Sequence, residues 1–538
     1  MRLQSNTRAR HGIARTLSAL LCLVVATAAR ADDATAAAVQ GIVESGTHPW
    51  LQYGNFSAEQ EALRRAYQER EYKPLWLDHR KPSRQAAAVI GVLSGADARG
   101  LSAADYDGAR LEAEVAQIDA RDNPENAALF DTALTIAAMR YASDAYVGRV
   151  DPQAVGFMYD VQPKRLDQAV IATELAGSDD PVARLNALDP PFPAFARLQE
   201  TLAEYRALAA TPLPPPPALP KLRPGEVHHD VPALRARLRA LGDLPADAAT
   251  PPDATRYDRA LVAAVESFQR RHGLADDGVI GAGTLAALGT PPAVRVTQIQ
   301  LAMERLRWLP YGWPERFIFV NIPEFRLRGF AAGNASPRVT MNVVVGEAVS
   351  TEKHKTPVLQ ADMTYVVFRP YWMVPPGIAR KEIFPKLASD TSYLERHDMF
   401  LGGDGRVRQR PGNKNSLGLI KFIFPNPFHV YLHDTPSKSL FARNRRDFSH
   451  GCIRVADPPS LAAFVLDGTP GWDAAHIEQA MLRGTDDHHV VLQAPIPVYI
   501  FYTTVVVDEA GAVHFYDDIY GHDATLQRLL AKGYPYSS

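Results

Sequence analysis

A chain of 538 residues is long enough for about three to four domains of ordinary size, and 46% of it is hydrophobic. Its 58 basic and 60 acidic residues nearly cancel to a net charge of −2, which argues against a nucleic-acid binder with a basic domain or stripe. Only two cysteines occur, Cys22 and Cys452.

Arg2, Arg8, Arg10 and Arg15 form a basic start, Leu17 to Val25 is an apolar run, and Ala29-Arg30-Ala31 is a small-x-small cleavage site. Together they read as a secretory signal over residues 1–31. The apolar run falls short of the ~20 residues of a bilayer span, so export is expected, with a membrane anchor if the signal stays uncleaved. Removing residues 1–31 leaves 53 basic against 60 acidic residues, a net charge of −7. Cys22 leaves too. Cys452 is then the one thiol of an exported chain, unable to close an internal disulfide, and is either a small buried hydrophobe or a reactive group.

Residues 33–210 are rich in Ala, Leu, Glu and Arg at helical spacing, and predict an all-α scaffold domain. Ser57 and Gln60 form a capping-box pattern ahead of Glu61 to Tyr67, and Ala133 to Tyr146 reads as another helix. The carboxylate pairs Asp179-Asp180 and Glu69/Glu71 read as solvated surface rather than acid–base machinery. The proline run Thr211–Pro220 opens an extended linker over 211–224.

Beyond it, Val231, Leu234, Leu238 and Leu241 repeat at helical spacing and stop at Gly242. Tyr257, Leu261, Val265 and Phe268 repeat again and stop at His272-Gly273, a helix C-cap. Asp277-Gly278 makes a turn, and Thr284 to Leu288 a last short helix. This three-helix module, 225–292, resembles the peptidoglycan-binding modules through Phe268-Gln269-Arg270-Arg271-His272-Gly273-Leu274, Asp277 to Gly281 and Thr284. The resemblance implies a tether to glycan strands or stem peptides; a plain spacer is the alternative. Residues 293–312 read as a connecting helix.

From Phe317 the period changes from helical to alternating, with strand-like runs at Phe317–Ile322, Phe325–Phe330, Val339–Val345, Met363–Arg369, Leu419–Phe424, His429–His433, Val490–Leu492 and Pro497–Val507. These short β-branched and aromatic runs, divided by Gly, Pro and Asn, predict a mostly-β domain over 313–508, a barrel or a sandwich. A long insertion at about 376–416, with helical stretches at Ile378–Phe384 and Tyr393–Asp398, predicts a substrate lid. Residues 509–538 form a C-terminal extension.

Chemistry concentrates in Tyr431-Leu432-His433-Asp434-Thr435-Pro436 and Ser449-His450-Gly451-Cys452-Ile453-Arg454. On a strand, Tyr431 and His433 share one face, ~7 Å apart. Gly451 permits a sharp turn that presents Cys452, and Asp457-Pro458-Pro459 then starts a helix. Backbone N–H groups of such a turn suit an oxyanion. A thiol of pKa ~8.5 needs a basic neighbour. His433 is the expected base, its ring oriented by Asp434 or a nearby carbonyl, and His450 the competitor. His429, His433, His450 and Cys452 invite a zinc reading, but residues four apart on a strand stand ~13 Å apart, and paired-cysteine and H-E-x-x-H patterns are absent from the sequence. No metal and no cofactor are therefore expected.

These two segments are similar to the signature of the L,D-transpeptidase family with a YkuD-type catalytic domain. Trp372 to Pro375, Gln409 to Gly418, Lys421-Phe422 and Pro497 to Tyr502 resemble its large YcbB-like branch in Gram-negative bacteria. The resemblance implies a multidomain α+β protein of the periplasm: all-α scaffold, peptidoglycan-binding module and mostly-β catalytic domain with a helical lid. It implies that Cys452 attacks a tetrapeptide stem at meso-diaminopimelate, releases D-alanine and forms a thioester. A second stem's amine then resolves the thioester to a 3→3 cross-link. Tyr431, Gly451, His450 and Asp434 take oxyanion or orienting places, and Arg454, Ser449, Trp372 and Asn415 substrate-binding ones. Carbapenem acylation of Cys452 is a further implication. A hydrolase on the same site and a non-catalytic wall-binding scaffold are the alternatives.

Overall fold

The computed structural model of the protein describes residues 33–78, 81–118, 123–159, 164–331, 336–348 and 354–536. The signal-like segment lies outside the described residues, among which no helix is long and apolar enough to cross a membrane.

The N-terminal region is helical. Its central helix, Pro124–Val147, starts where the Asn123 side chain accepts from Glu125 N–H, and most of its residues are buried on every side. The capping box expected at Ser57 and Gln60 does not form. The helix Gln60–Gln68 begins without a side-chain cap, and the Gln60 amide donates to the Val43 and Glu44 carbonyls instead. Asp180 caps the short helix Pro181–Asn186, and Asp179 pairs with Arg84 on the surface.

The small module follows the expected punctuation. Helices Val231–Ala240, Arg259–Arg271 and Ala282–Gly289 enclose Leu234, Leu238, Tyr257, Leu261, Val265 and Phe268. Gly242, Gly273 and Gly278 all have positive φ.

Nine strands form the main sheet of the C-terminal half: β1 Arg316–Asn321, β2 Arg326–Ala331, β3 Val339–Gly346, β4 Leu359–Phe368, β5 Ile420–Ile423, β6 Leu432–His433, β7 Asp447–Ser449, β8 Ile453–Val455 and β9 His488–Phe501. Their order is β7-β3-β8-β6-β5-β4-β9-β1-β2, and β2 also pairs with β3, which closes the sheet into a barrel. Pairs β6/β8, β3/β7 and β1/β9 are parallel, the other pairs antiparallel. The expected strand over His429–His433 shrinks to Leu432–His433. His429 sits at φ +54, and the Asn426 amide folds the preceding chain into a turn by donating to the Phe424 and Val430 carbonyls.

The insertion is more than helical. Trp372–Met373, Met399–Leu401 and Val407–Gln409 make a small sheet, packed with the helical stretch 376–389 around Val374, Ala379, Ile383, Met399 and Val407.

The connecting helix Pro292–Arg307 locks the regions together. With the scaffold's last helix, Pro193–Ala210, and the hairpin Val505–Val507/Val513–Phe515, it shares an apolar cluster that includes Phe195, Leu202, Met303 and Phe515. Its Glu304, fully buried, pairs with Arg149, and its Arg305 with Asp523. The C-terminal residues are integral to this assembly: Tyr520 and Leu526 belong to the core of the barrel.

Candidate active site

The site follows from one stretch of register. In the parallel pair β6/β8, Leu432 faces Ile453 and His433 faces Arg454, and Ile453 N–H donates to the Tyr431 carbonyl at 3.1 Å. Leu432, Ile453 and Val455 point into the barrel core and are fully buried. Alternation then puts Tyr431, His433, Cys452 and Arg454 on the opposite face, Tyr431 beside Cys452 and His433 beside Arg454. A strand spacing of ~4.8 Å places the Cα atoms of Cys452 and His433 roughly 8 Å apart on the diagonal, a span that a thiol and an imidazole reach across. The Tyr431 and His433 rings stand 5.7 Å apart.

His433 Nδ1 donates to the Asp434 carbonyl at 2.5 Å, which fixes the tautomer and leaves the Nε2 lone pair as the basic site. Burial first, then the Arg454 charge, pushes the imidazole down to about 4, against the pull of the Asp434 and Leu417 carbonyls. The Asp434 carboxylate does not touch the ring. It accepts from Leu419 N–H, Thr435 N–H and Lys438 Nζ, so its carbonyl is the orienting group. Burial pushes the Cys452 thiol up to about 11, with Tyr431 and the Arg454 charge acting the other way. The resting pair at neutral pH is therefore thiol and neutral imidazole.

Gly451 has φ +117, a conformation that side chains rarely adopt, and so turns the chain just before the thiol. A buried network that the sequence did not reveal holds this turn. Thr356 Oγ1 donates to the Gly451 carbonyl at 2.8 Å and accepts from Gly346 N–H at 2.9 Å. Thr356 N–H donates in turn to Tyr520 Oη, which donates to the Gly346 carbonyl. No sequence signal could find Thr356 or Tyr520, because each lies more than 65 residues from Cys452.

Two expected substrate contacts are corrected by burial. Ser449, 2% exposed, donates to the Cys452 carbonyl at 2.5 Å and accepts from Gly451 N–H, so it braces the turn. Asn415, 1% exposed, ties the Pro370 and Arg410 carbonyls to Leu417 N–H at the base of the insertion. Trp372 is half-buried against the insertion's own core. Arg454, half-buried, makes no side-chain hydrogen bond or ion pair among the described residues; burial lowers its pKa, and Cys452 and Glu347 act on it through their charges.

His450 turns to the insertion: its Nε2 meets Glu382 Oε1 at 2.8 Å, and its ring packs on His354. Glu382 thus joins the insertion to the residue two before Cys452, a contact with no sequence signature. His429, His433, His450 and Cys452 do not form a group close enough to hold an ion. Among the described residues such a group consists of His228, His229 and Asp230, outside the barrel.

Residues 315–472 match the family described as "L,D-transpeptidase catalytic domain", residues 227–288 the "Putative peptidoglycan binding domain", and residues 61–202 the "Scaffold domain". A "Putative L,D-transpeptidase" of Haemophilus influenzae is 31% identical over 250 residues, 42% of this chain and 48% of that protein. The chain thus spans about half the length of the curated relative it matches. Among solved structures, an L,D-transpeptidase of Xylanimonas cellulosilytica aligns with 53% of this chain and 100% of its own, at 18% identity and a TM-score of 0.18. A fused Zn-dependent amidase/peptidase/peptidoglycan-binding domain-containing protein of Clostridium acetobutylicum aligns with 52% and 99%, at 14% identity and a TM-score of 0.15.

Proposed function

Because the chain joins an L,D-transpeptidase catalytic domain of the YkuD type to a peptidoglycan-binding domain and a scaffold domain, we propose that it is a periplasmic, peptidoglycan-modifying L,D-transpeptidase. In this reading it forms 3→3 cross-links through a thioester on Cys452. The observation that carries this reading is the patch of His433 and Arg454 on one face of β6 and β8, with Tyr431 and Cys452 at the residues just before those strands.

A neutral thiol beside a neutral imidazole supports general-base attack rather than a preformed ion pair. His433 Nε2 takes the thiol proton as sulfur bonds to the stem carbonyl carbon at diaminopimelate. The carbonyl π pair moves to oxygen, where the Tyr431 hydroxyl and backbone N–H groups of the Gly451 turn donate to it. The oxyanion collapses, the C–N bond to D-alanine breaks, and the imidazolium returns the proton to the leaving amine. A thioester remains. The side-chain amine of a second stem then attacks that carbonyl and gives its proton to His433. The thiolate leaves, recovers the proton, and the new amide is the cross-link. Arg454 holds a stem carboxylate throughout, and the insertion over the site limits competition by water.

The test is incubation of purified protein with disaccharide-tetrapeptide, followed by mass spectrometry. Cross-linked dimer with free D-alanine is expected. Tripeptide without dimer would assign the site to hydrolysis instead.

A further inference from the structure

A cavity of about 240 Å³ lies at the seam between the three-helix module and the barrel, away from Cys452. Arg270, His272 and Leu274 line it from the module side, and Arg326, Arg446 and Tyr516 from the catalytic side. Its charges do not balance locally. Arg270 is paired with Asp276, and Arg445 with Asp447. Both oxygens of Glu324 are taken by Arg328, at 2.5 and 2.7 Å. Two guanidinium groups are left over. Arg446, 8% exposed, donates only to neutral oxygens, the carbonyls of Val343, Phe325 and Arg443 and the Asn342 amide. Burial and the neighbouring Arg326 charge press it down to about 10. Arg326, half-buried, makes no side-chain hydrogen bond or ion pair among the described residues. Asp517, exposed on the rim, is the one lining carboxylate outside these pairs.

Two close guanidinium groups that neither hydrogen-bond nor ion-pair with a carboxylate among the described residues, Glu324 acting on them only through its charge, have on the wall of a concavity the chemistry of a carboxylate receptor, since Arg presents parallel donors to such a group. The volume falls below the ~300–1,000 Å³ that encloses a drug-sized ligand, which suits the end of a peptide better than a disaccharide. Strand β7 connects the cavity to the nucleophile. The Arg446 carbonyl accepts from Val345 N–H at 2.9 Å, and three residues on, ~10 Å along a strand, Ser449 donates to the Cys452 carbonyl.

We propose that this seam is a second ligand site, in which Arg326 and the Arg446 charge hold a free carboxylate of a peptide stem. The polymer is then gripped jointly by module and barrel, roughly a strand's length from the thiol, rather than on the module alone. The proposal rests on the peptidoglycan reading above.

Calorimetry on the full chain carrying Cys452→Ala, titrated with disaccharide-tetrapeptide, tests it. Two sites per chain are expected, one weakened at least tenfold by Arg326→Gln and partly restored by Arg326→Lys. A stem with its carboxylates converted to carboxamides is expected to lose that same site without any substitution and to bind more weakly beside Arg454 as well. Equal binding by the Arg326→Gln protein, with unchanged circular dichroism, overturns the proposal, as does a site that takes inorganic phosphate but not the stem. Acylation of Cys452 in the unsubstituted protein by the same ligand separates the two readings. If the thioester forms while Arg326→Gln changes nothing, only the seam site fails; if no thioester forms, the parent reading fails with it.

Discussion

The scaffold and the catalytic barrel both bury titratable groups, and their pKa values move as far in one as in the other. In the scaffold, Asp131 is fully buried and pushed up to about 6, and Asp144 up to about 8, both by burial. Asp131 accepts from Tyr67 Oη at 2.6 Å, Leu75 N–H at 2.8 Å and Trp76 N–H at 2.7 Å, and Asp144 accepts from Tyr106 Oη at 2.8 Å. Both Asp131 oxygens and one of Asp144 are satisfied by the protein. In the barrel, His433 and Cys452 are displaced just as strongly, but they share a face with half-buried Tyr431 and Arg454, and the insertion reaches the neighbouring His450 through Glu382. A perturbed pKa therefore reports burial. Chemistry needs, in addition, a reactive atom that the protein leaves for something else.

The largest effect expected to sharpen this contrast is that of Cys452→Ala, which abolishes D-alanine release while the circular dichroism spectrum and melting temperature stay those of the parent. His433→Gln comes next. Loss of a positioned general base lowers the rate of D-alanine release about 10²- to 10⁴-fold with little change in KM. Asp131→Asn is the scaffold counterpart. By weakening bonds to two backbone N–H groups and a tyrosine it costs about 1–3 kcal/mol of stability, read as a lower denaturant midpoint, while turnover per folded molecule is unchanged. A fall in kcat at constant folded fraction would break the contrast.

The pH dependence follows from the directions of the two shifts. A thiol raised to about 11 is protonated through the neutral range, and an imidazole lowered to about 4 is unprotonated there. Iodoacetamide alkylation of Cys452 in the free protein is expected to be slow at pH 7 and to rise toward pH 11. kcat/KM for the half-reaction that releases D-alanine should fall only as pH drops toward 4. Fast alkylation at a plateau reached below pH 7 would instead show a thiolate–imidazolium pair. The smallest effect belongs to Glu382→Gln, which weakens the His450 contact with the insertion and should change KM about two- to tenfold, with kcat nearly constant.

Legibility differed between the same two regions. The barrel strands were readable because alternation of β-branched and aromatic residues against Gly and Pro is local, and Asp457 does cap the helix Pro458–Leu466 as its sequence implied. The face shared by Tyr431 and His433 was readable from strand parity, and the loop with Cys452 from Gly451. Its register opposite Tyr431 was not, because parallel pairing joins segments through a long crossover that leaves no short-range signal. Thr356, Tyr520 and Glu382 escaped for the same reason. Ser449 and Asn415 were misplaced because a polar residue in a motif reads alike whether its partner is a ligand or a backbone carbonyl. In the scaffold, helical texture was plain, but the false capping box shows that Ser and Gln at the right spacing yield when Gln finds nearby carbonyls.

Intact-protein mass spectrometry after brief exposure to tetrapeptide stem, without acceptor, tests the central claim most directly. The account predicts a gain equal to the stem less one alanine, mapped to Cys452 after digestion, lost on adding hydroxylamine and absent from the Cys452→Ala protein. Release of D-alanine without such an adduct, or the same adduct on the Cys452→Ala protein, would contradict it.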